Sequence, residues 1–231
     1  MGFRRTVRKW LGYKEPEEYL NISFAQEGED MLLDRILNEK AEGFFVDVGA
    51  LHPTRFSNTY KFYKRGWRGI SIDALPGSMK RFNDVRPRDI NLEIPVSDKK
   101  EHIPFYVFNE PALNTFSKEL AEERNKKEIF YIEKTLNLET QTLSEILERY
   151  LPEGQPIDFF TIDVEGFDLQ VLKSNDWLRH KPSIVVIETE ISFDRMENSE
   201  VYSFLTKLDY TLCAKTLKTC FFSHSKFNLP S

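Results

Sequence analysis

The sequence predicts an α/β fold built on a mostly parallel sheet with helices on both faces. Short apolar runs of strand length alternate with helical patterns along the chain, and parallel strands need the crossover connections that such helices supply. The two most strand-like runs, FFVDVGA at 44–50 and RGISIDA at 68–74, share one form, a strand that ends in an acid. The 231 residues, 40% apolar and 30% charged, allow one domain with a sizeable core and are too apolar for a disordered chain. Two cysteines, Cys213 and Cys220, exclude a disulfide scaffold and suit a reducing, cytoplasmic setting. No apolar run approaches the roughly 18–20 residues of a membrane span.

Charge divides unevenly. Residues 1–14 hold Arg4, Arg5, Arg8, Lys9 and Lys14 and no acid, so the overall −5 conceals a −10 body. An acidic body argues against a nucleic-acid partner, whose phosphates want a basic surface. On a helix, Phe3, Val7, Trp10 and Leu11 would share one face flanked by the basic residues. That pattern suits peripheral contact with the anionic inner face of a membrane, and a disordered basic start that aids solubility fits equally well. A secretory leader is not expected, because the apolar segment of one is missing.

Glu15-Pro16-Glu17-Glu18 separates this tail from a single domain expected over 15–231. The capping-box spacing of Ser23 and Gln26, followed by Met31, Leu32, Arg35 and Ile36, predicts a helix over 24–39. The strand FFVDVGA follows, then a helix over 57–63 and the strand ending at Asp73, which together make a βαβ unit over 44–73. Further strands are expected at 91–96, 103–108, 158–162 and 183–188, with helices at 78–85, 143–150, 168–172 and 199–208. Residues 210–214 and 219–223 read as a hairpin, which adds an antiparallel strand to the sheet. The Glu- and Lys-rich segment 109–137 breaks the alternation and is expected to be a helical insertion that shapes a substrate site.

Chemistry is expected where the strands end, since ligands of open parallel sheets bind there. In VDVGALHP, Asp47, Gly49 and Ala50 allow a tight turn and close backbone approach to a ligand, and the helix start beyond it offers free N–H groups. Ser57 and Asn58 suit a ligand carboxylate or plain helix capping. Asp73, followed by Ala74, stands where an acid accepts both ribose hydroxyls. With one glycine in place of a GxGxxG cradle, the ligand expected is an adenosine without a pyrophosphate. A third group, Asp163, Glu165 and Gly166, ends the strand at 158–162, with Glu188 ending the next. Such carboxylates accept a proton, bind hydroxyls or hold a cation. His52 is a further candidate base, while His102, His180 and His224 are expected at the surface. No zinc site is expected, since three ligands at recognisable spacing are missing. Trp67 is expected to pack, and the two cysteines to face one another unbonded across the hairpin.

These motifs carry a resemblance. VDVGALHPTRFSNTYKFYKRGWRGISIDALPGSM, NLEIPVSD, FNEPALNTFS and FFTIDVEGFDLQVLKSNDW resemble the FkbM family of S-adenosylmethionine-dependent methyltransferases over about residues 23–188, in its VDVGAxHP branch. The resemblance implies a class I methyltransferase fold, with seven strands ordered 3-2-1-4-5-7-6 and strand 7 antiparallel. It implies hydroxyl methylation, often on sugars or polyketide-type products. By position, Asp47 and Gly49 would hold the methionine end of the cofactor and Asp73 the ribose. The adenine would lie against 91–97, with Val96 and Ser97 nearest. Asp163, Glu165 and Gly166 would face the transferred methyl group, and Gln26, Glu27 and Asp30 of the leader would close over the cofactor. His52 stands where many relatives have Asn, and metal dependence does not carry over. In a sugar acceptor, hydroxyls would be read by Asn109, Glu110, Asn114 and Thr115, with Glu188. Two rivals remain open: an NAD(P)- or nucleotide-sugar-binding Rossmann enzyme, which would want the missing diphosphate glycines, and a non-catalytic binding module of the same fold.

Overall fold

A computed structural model describes residues 20–189 and 191–230, so the basic tail over 1–14 lies outside the described residues. In chain order the regular elements are α1 (Glu29–Ile36), β1 (Phe44–Val48), α2 (Tyr60–Arg65), β2 (Arg68–Asp73), α3 (Met79–Val85), β3 (Ile90–Glu93), β4 (His102–Phe108), α4 (Lys118–Arg124), β5 (Ile132–Glu139), α5 (Leu143–Tyr150), β6 (Phe159–Ile162), α6 (Asp168–Lys173), β7 (Ile184–Glu188), α7 (Glu200–Thr206), β8 (Tyr210–Lys215) and β9 (Thr219–His224). Seven strands form one sheet in the order β3-β2-β1-β6-β7-β9-β8, with β4 and β5 paired apart from it. Within the seven-stranded sheet β9 alone is reversed, lying antiparallel between β7 and β8. Counted along the chain, the sheet strands run 3-2-1-4-5-7-6 with the seventh reversed, which is the class I methyltransferase fold. The order reverses between β1 and β6, and a crevice opens there at the strand ends.

Strand parity divides the core. Phe44, Val46 and Val48 of β1 join Ile70, Ile72, Phe160 and Ile162 on one face; Phe45 joins Phe62, Trp67, Phe159 and Phe221 on the other. Fully burying each such side chain contributes about 1.5–3 kcal/mol. Trp67 packs as expected, its ring tilted against Phe62 and its Nε1–H donating to the Lys40 carbonyl. Among described residues no helix is long and apolar enough to cross a membrane.

Several expectations are corrected. α1 begins only after Gly28, whose φ of +86° puts a left-handed kink where the helix was expected to run on from 24. The Ser23 hydroxyl donates to Asp30 and accepts the Ala25 N–H, so it closes a local turn and caps no helix. The insertion is only partly helical. After α4 it becomes β5, antiparallel to β4 from His102↔Glu139 to Phe108↔Ile132. Ile132, Leu136 and Leu138 are half-buried between exposed residues, with the alternation broken at Lys134 beside the register shift. The charged residues suggested a helix, while the period-two apolar pattern between them decided a strand. His180 and His224 are buried, not at the surface. Asn175 Nδ2 ties the His180 carbonyl inward, and the His224 ring packs edge-on against Tyr210 at 5.1 Å. The cysteines do not face one another: a bulge falls between Leu212 and Ala214, and Cys220 opposes Lys215. Both thiols are free.

Candidate active site

The crevice at the ends of β1, β2, β6 and β7 is a cleft of about 1200 Å³, counting the solvent at its mouth. Of the expected residues, Gly49, Asn58, Asp73, Ala74, Val96, Asn114, Asp163, Glu165 and Glu188 line it.

The first turn is set by close approach. Gly49 has φ +89°, and a Cβ there would lie 1.7 Å from the Asp163 carbonyl oxygen, so only glycine lets the β1 turn cross the end of β6. The Gly49 and Ala50 amides both donate to the Ile72 carbonyl, and Ala50 packs inward on Met79 and Phe82. Strand parity also directs Asp47 away from the cleft, to the face of Phe45. There it accepts the Thr59 hydroxyl at 2.7 Å, and Thr59 in turn accepts from the fully buried Arg86. Burial raises the Asp47 pKa to about 6, against the opposing pull of Arg86. Ser57 is likewise buried under the start of α2, accepting the Tyr60 N–H, whereas Asn58 donates to Thr161 Oγ1 at the cleft wall.

Asp73 ends β2 with Oδ1 accepting the Leu75 N–H at 2.8 Å, and burial pushes its pKa up. Beside it stand Leu75, Ile94, Val96 and Phe105, an apolar wall with one acid, which suits a nucleoside. Ser97, expected here, is buried outside the lining, its N–H donating to the Gln141 carbonyl.

The other end is crowded with acids. Single oxygens of Asp163, Glu165 and Glu188 lie within 4.8 Å of one another. Arg124 from α4 pairs with Glu165, and Lys218 stands 3.5 Å from Glu188. Asp163 Oδ1 is buried and receives no hydrogen bond from a described residue. Burial first, then the charges of Glu188 and Glu165, raises Asp163 well above the usual carboxylate range. Glu165 is also raised by burial, with Arg124 opposing. Asp168, raised to about 7 by burial, accepts the Val164 and Gly166 amides and braces the loop. Glu165 itself holds φ +52°, a conformation that costs on the order of 1–3 kcal/mol and is found where function over-determines it. The Thr115 hydroxyl donates to its carbonyl at 2.7 Å. Three such carboxylates can share protons, take a hydroxyl proton, or present hard oxygen ligands to a divalent cation.

Other expected residues serve the scaffold. His52 does not line the cleft; its Nδ1 accepts the Thr54 and Arg55 N–H groups, and burial with Arg81 and Arg55 lowers its pKa. Asn109 clamps the insertion through Tyr131 and Ile129, Glu110 caps the turn at Ala112 and meets Arg55, and Thr115 is fully buried. Each was expected to read a sugar because loop polar residues look alike in sequence whether they bind a ligand or the backbone.

The leader contributes more than its motif told. Gln26, Glu27 and Glu29 line the cleft, and Asp30, buried behind them, holds Ser23 and Phe24. Glu27 accepts the Lys218 N–H and Glu29 the Thr219 hydroxyl, so the leader is tied to the β8–β9 turn across the cleft. Lys218 and Arg124 escaped the sequence reading; separations of 30 and 41 residues from their partners Glu188 and Glu165 leave no local signal. Phe105 and Phe116, ring centroids 4.5 Å apart, were likewise missed as cleft residues.

The model of the FkbM methyltransferase domain matches residues 47–212. Among solved structures the chain is similar to precorrin-6Y C5,15-methyltransferase from Geobacter metallireducens GS-15, at 10% identity over 91% of this chain and 96% of that one, with a TM-score of 0.41. It is also similar to a TehB-like S-adenosylmethionine-dependent methyltransferase from Corynebacterium glutamicum, at 9% identity over 96% and 97% of the two chains, with a TM-score of 0.39. No curated protein matched the sequence. The match to the domain model extends from Asp47 at the first turn, past both cleft walls, to Leu212 in β8, and by it the chain belongs to the FkbM family of S-adenosylmethionine-dependent methyltransferases.

Proposed function

We propose that the chain methylates a hydroxyl of a sugar or glycan, such as a precursor of a cell-surface polysaccharide or glycolipid. The observation that carries this reading is the group Asp163, Glu165 and Glu188 at the end of β6 and β7, facing the cofactor cleft. A hydroxyl is a poor nucleophile at neutral pH and needs a base within hydrogen-bond reach, and a carboxylate with a raised pKa is matched to that task.

When bound, S-adenosylmethionine supplies an electrophilic methyl carbon on a sulfonium. Asp73 would accept the ribose hydroxyls, the wall of Ile94, Val96 and Phe105 would take the adenine, and Gly49 with Asn58 would adjoin the methionine end. Asp163 would take the acceptor's proton as the hydroxyl oxygen bonds to the methyl carbon and the carbon–sulfur bond breaks, its electron pair staying on sulfur. Glu165, held by Arg124 and Thr115, and Glu188, beside Lys218, would orient the hydroxyl. Much of the rate comes from that positioning. The leader tied to the β8–β9 turn would keep water from the cleft.

The single-glycine turn and the family membership favour S-adenosylmethionine over a dinucleotide. The acidic body disfavours nucleic acid as acceptor, and the basic tail would hold a cytoplasmic enzyme near membrane-linked glycans. The test is transfer of labelled methyl from S-adenosylmethionine into extracts of the cells that carry the gene. Label released by acid hydrolysis as a methyl sugar is the expected result; cofactor binding with no transfer would make the chain a binding module.

A further inference from the structure

We infer that the acceptor occupies a second cleft, between α4, the turn at 165–167 with the start of α6, and the start of α7, and that the unit bound there is uncharged or carries an amine. This rests on the hydroxyl-methylating reading above and names the acceptor's chemistry and entry.

The second cleft encloses about 1120 Å³ with its open solvent. Among the described residues Glu165 and Glu188 alone line both clefts. A cofactor in the first and an acceptor in the second would therefore meet at those two carboxylates. Asp163 Oδ1, buried beside that junction without a donor among the described residues, is the acceptor group left for an incoming hydroxyl. The placement also accounts for α4, whose Arg124 fixes the Glu165 carboxylate while its first turns wall the second cleft.

The lining sets the ligand's charge. Glu119, Glu123, Glu165, Asp168, Glu188 and Glu200 all face this cleft. Among the described residues its one lining cation, Arg124, is already held by Glu165 and the Leu113 carbonyl, and Glu188 is itself paired with Lys218. A phosphate or uronate would enter against these acids with no further cation among the described lining residues to receive it, whereas an ammonium or a neutral polyol needs none. Leu120, Leu169, Ile191 and Val201 supply an apolar floor for the C–H face of a sugar ring.

The experiment fills the cleft in the full chain and follows the charge of the product. Val201→Trp, from the α7 wall, is expected to leave calorimetric affinity for S-adenosylmethionine within twofold and to lower labelled-methyl transfer into cell extract at least tenfold. Glu123→Trp, at an exposed position of α4, fills the same cleft without touching the core and decides the matter if the first variant fails to bind cofactor. Transfer undiminished in a cofactor-binding variant overturns the cleft assignment. The labelled acceptor unit should pass an anion exchanger unretained at neutral pH, and retention as an anion overturns the charge assignment. Label in a fraction that yields no sugar on hydrolysis, with both variants still deficient, supports the cleft and overturns only the sugar reading. Wild-type chain that binds cofactor and transfers no label overturns both.

Discussion

On the β2 side of the cofactor cleft one carboxylate, Asp73, stands against an apolar wall, its oxygen tied to a backbone amide two residues on. On the β6–β7 side three carboxylates crowd within 4.8 Å, two on a loop with a left-handed glutamate and the third, Glu188, at the end of β7. Both sides end parallel strands of one sheet and both raise a half-buried acid. What differs is the neighbourhood. Asp73 meets its cost with local hydrogen bonds and is fit for recognition, while Asp163 is raised by other acids as well as by burial, and so sits poised to exchange a proton. Binding and chemistry thus occupy opposite walls, and the two can be separated by substitution.

The largest effect should come where the walls touch. Gly49→Ala forces a Cβ into the Asp163 carbonyl and an alanine into a positive φ, so both functions should fail together. Cofactor binding should be lost by calorimetry, and denaturant unfolding should report about 2–4 kcal/mol less stability from overpacking and strain. Retained binding would show that the walls do not depend on that contact. Next, Asp163→Asn keeps shape and removes the base. Turnover should fall about 100- to 10,000-fold, the usual contribution of general base catalysis, with cofactor affinity nearly unchanged. A parallel loss of affinity would place Asp163 on the recognition side.

Asp73→Ala should give the mirror result. Losing the acceptor of two ribose hydrogen bonds should weaken cofactor affinity by about 2–3 kcal/mol, since bonds to a charged group contribute about 1.5–3 kcal/mol each and water recovers part. Turnover at saturating cofactor should stay within a few-fold. Equal losses in affinity and turnover would erase the contrast between the walls.

The two walls were not equally legible in the sequence. Gly49, Asp73, Asp163 and Glu165 could be found because each sits at the end of a strand whose apolar run marks it. Asp47 carried the same mark, yet parity within β1 sent its side chain to Thr59 and Arg86. A motif read as a string does not say which face a residue takes. The sheet order was likewise implied in advance, while β5 was hidden by the Glu and Lys residues on its exposed face. Arg124, Lys218 and the leader's contacts with the β8–β9 turn depend on tertiary placement alone. Loop residues were the least legible, because Asn109 and Glu110 are consumed by their own backbone.

The finest test of the contrast is a pH profile. The base must be ionised to act, so turnover should fall as pH drops through the Asp163 pKa, which lies above the ordinary carboxylate range. After burial, the largest cause of that rise is the charge of Glu188. Glu188→Gln keeps the volume and removes the charge, so ionised Asp163 loses a repelling neighbour and its pKa falls. Lys218, 3.5 Å from Glu188, would lose that partner and act in the same direction. The acid limb of the turnover profile should therefore move to lower pH, with the plateau kept within about tenfold, a modest share of the general-base contribution. Asp73→Asn, on the recognition wall, should leave the limb in place. An acid limb that stays or moves upward in Glu188→Gln would mean that Asp163 is not the group whose ionisation limits turnover. A plateau lowered by orders of magnitude would instead transfer the base to Glu188, still on the β6–β7 wall and still opposite the site that recognises the cofactor.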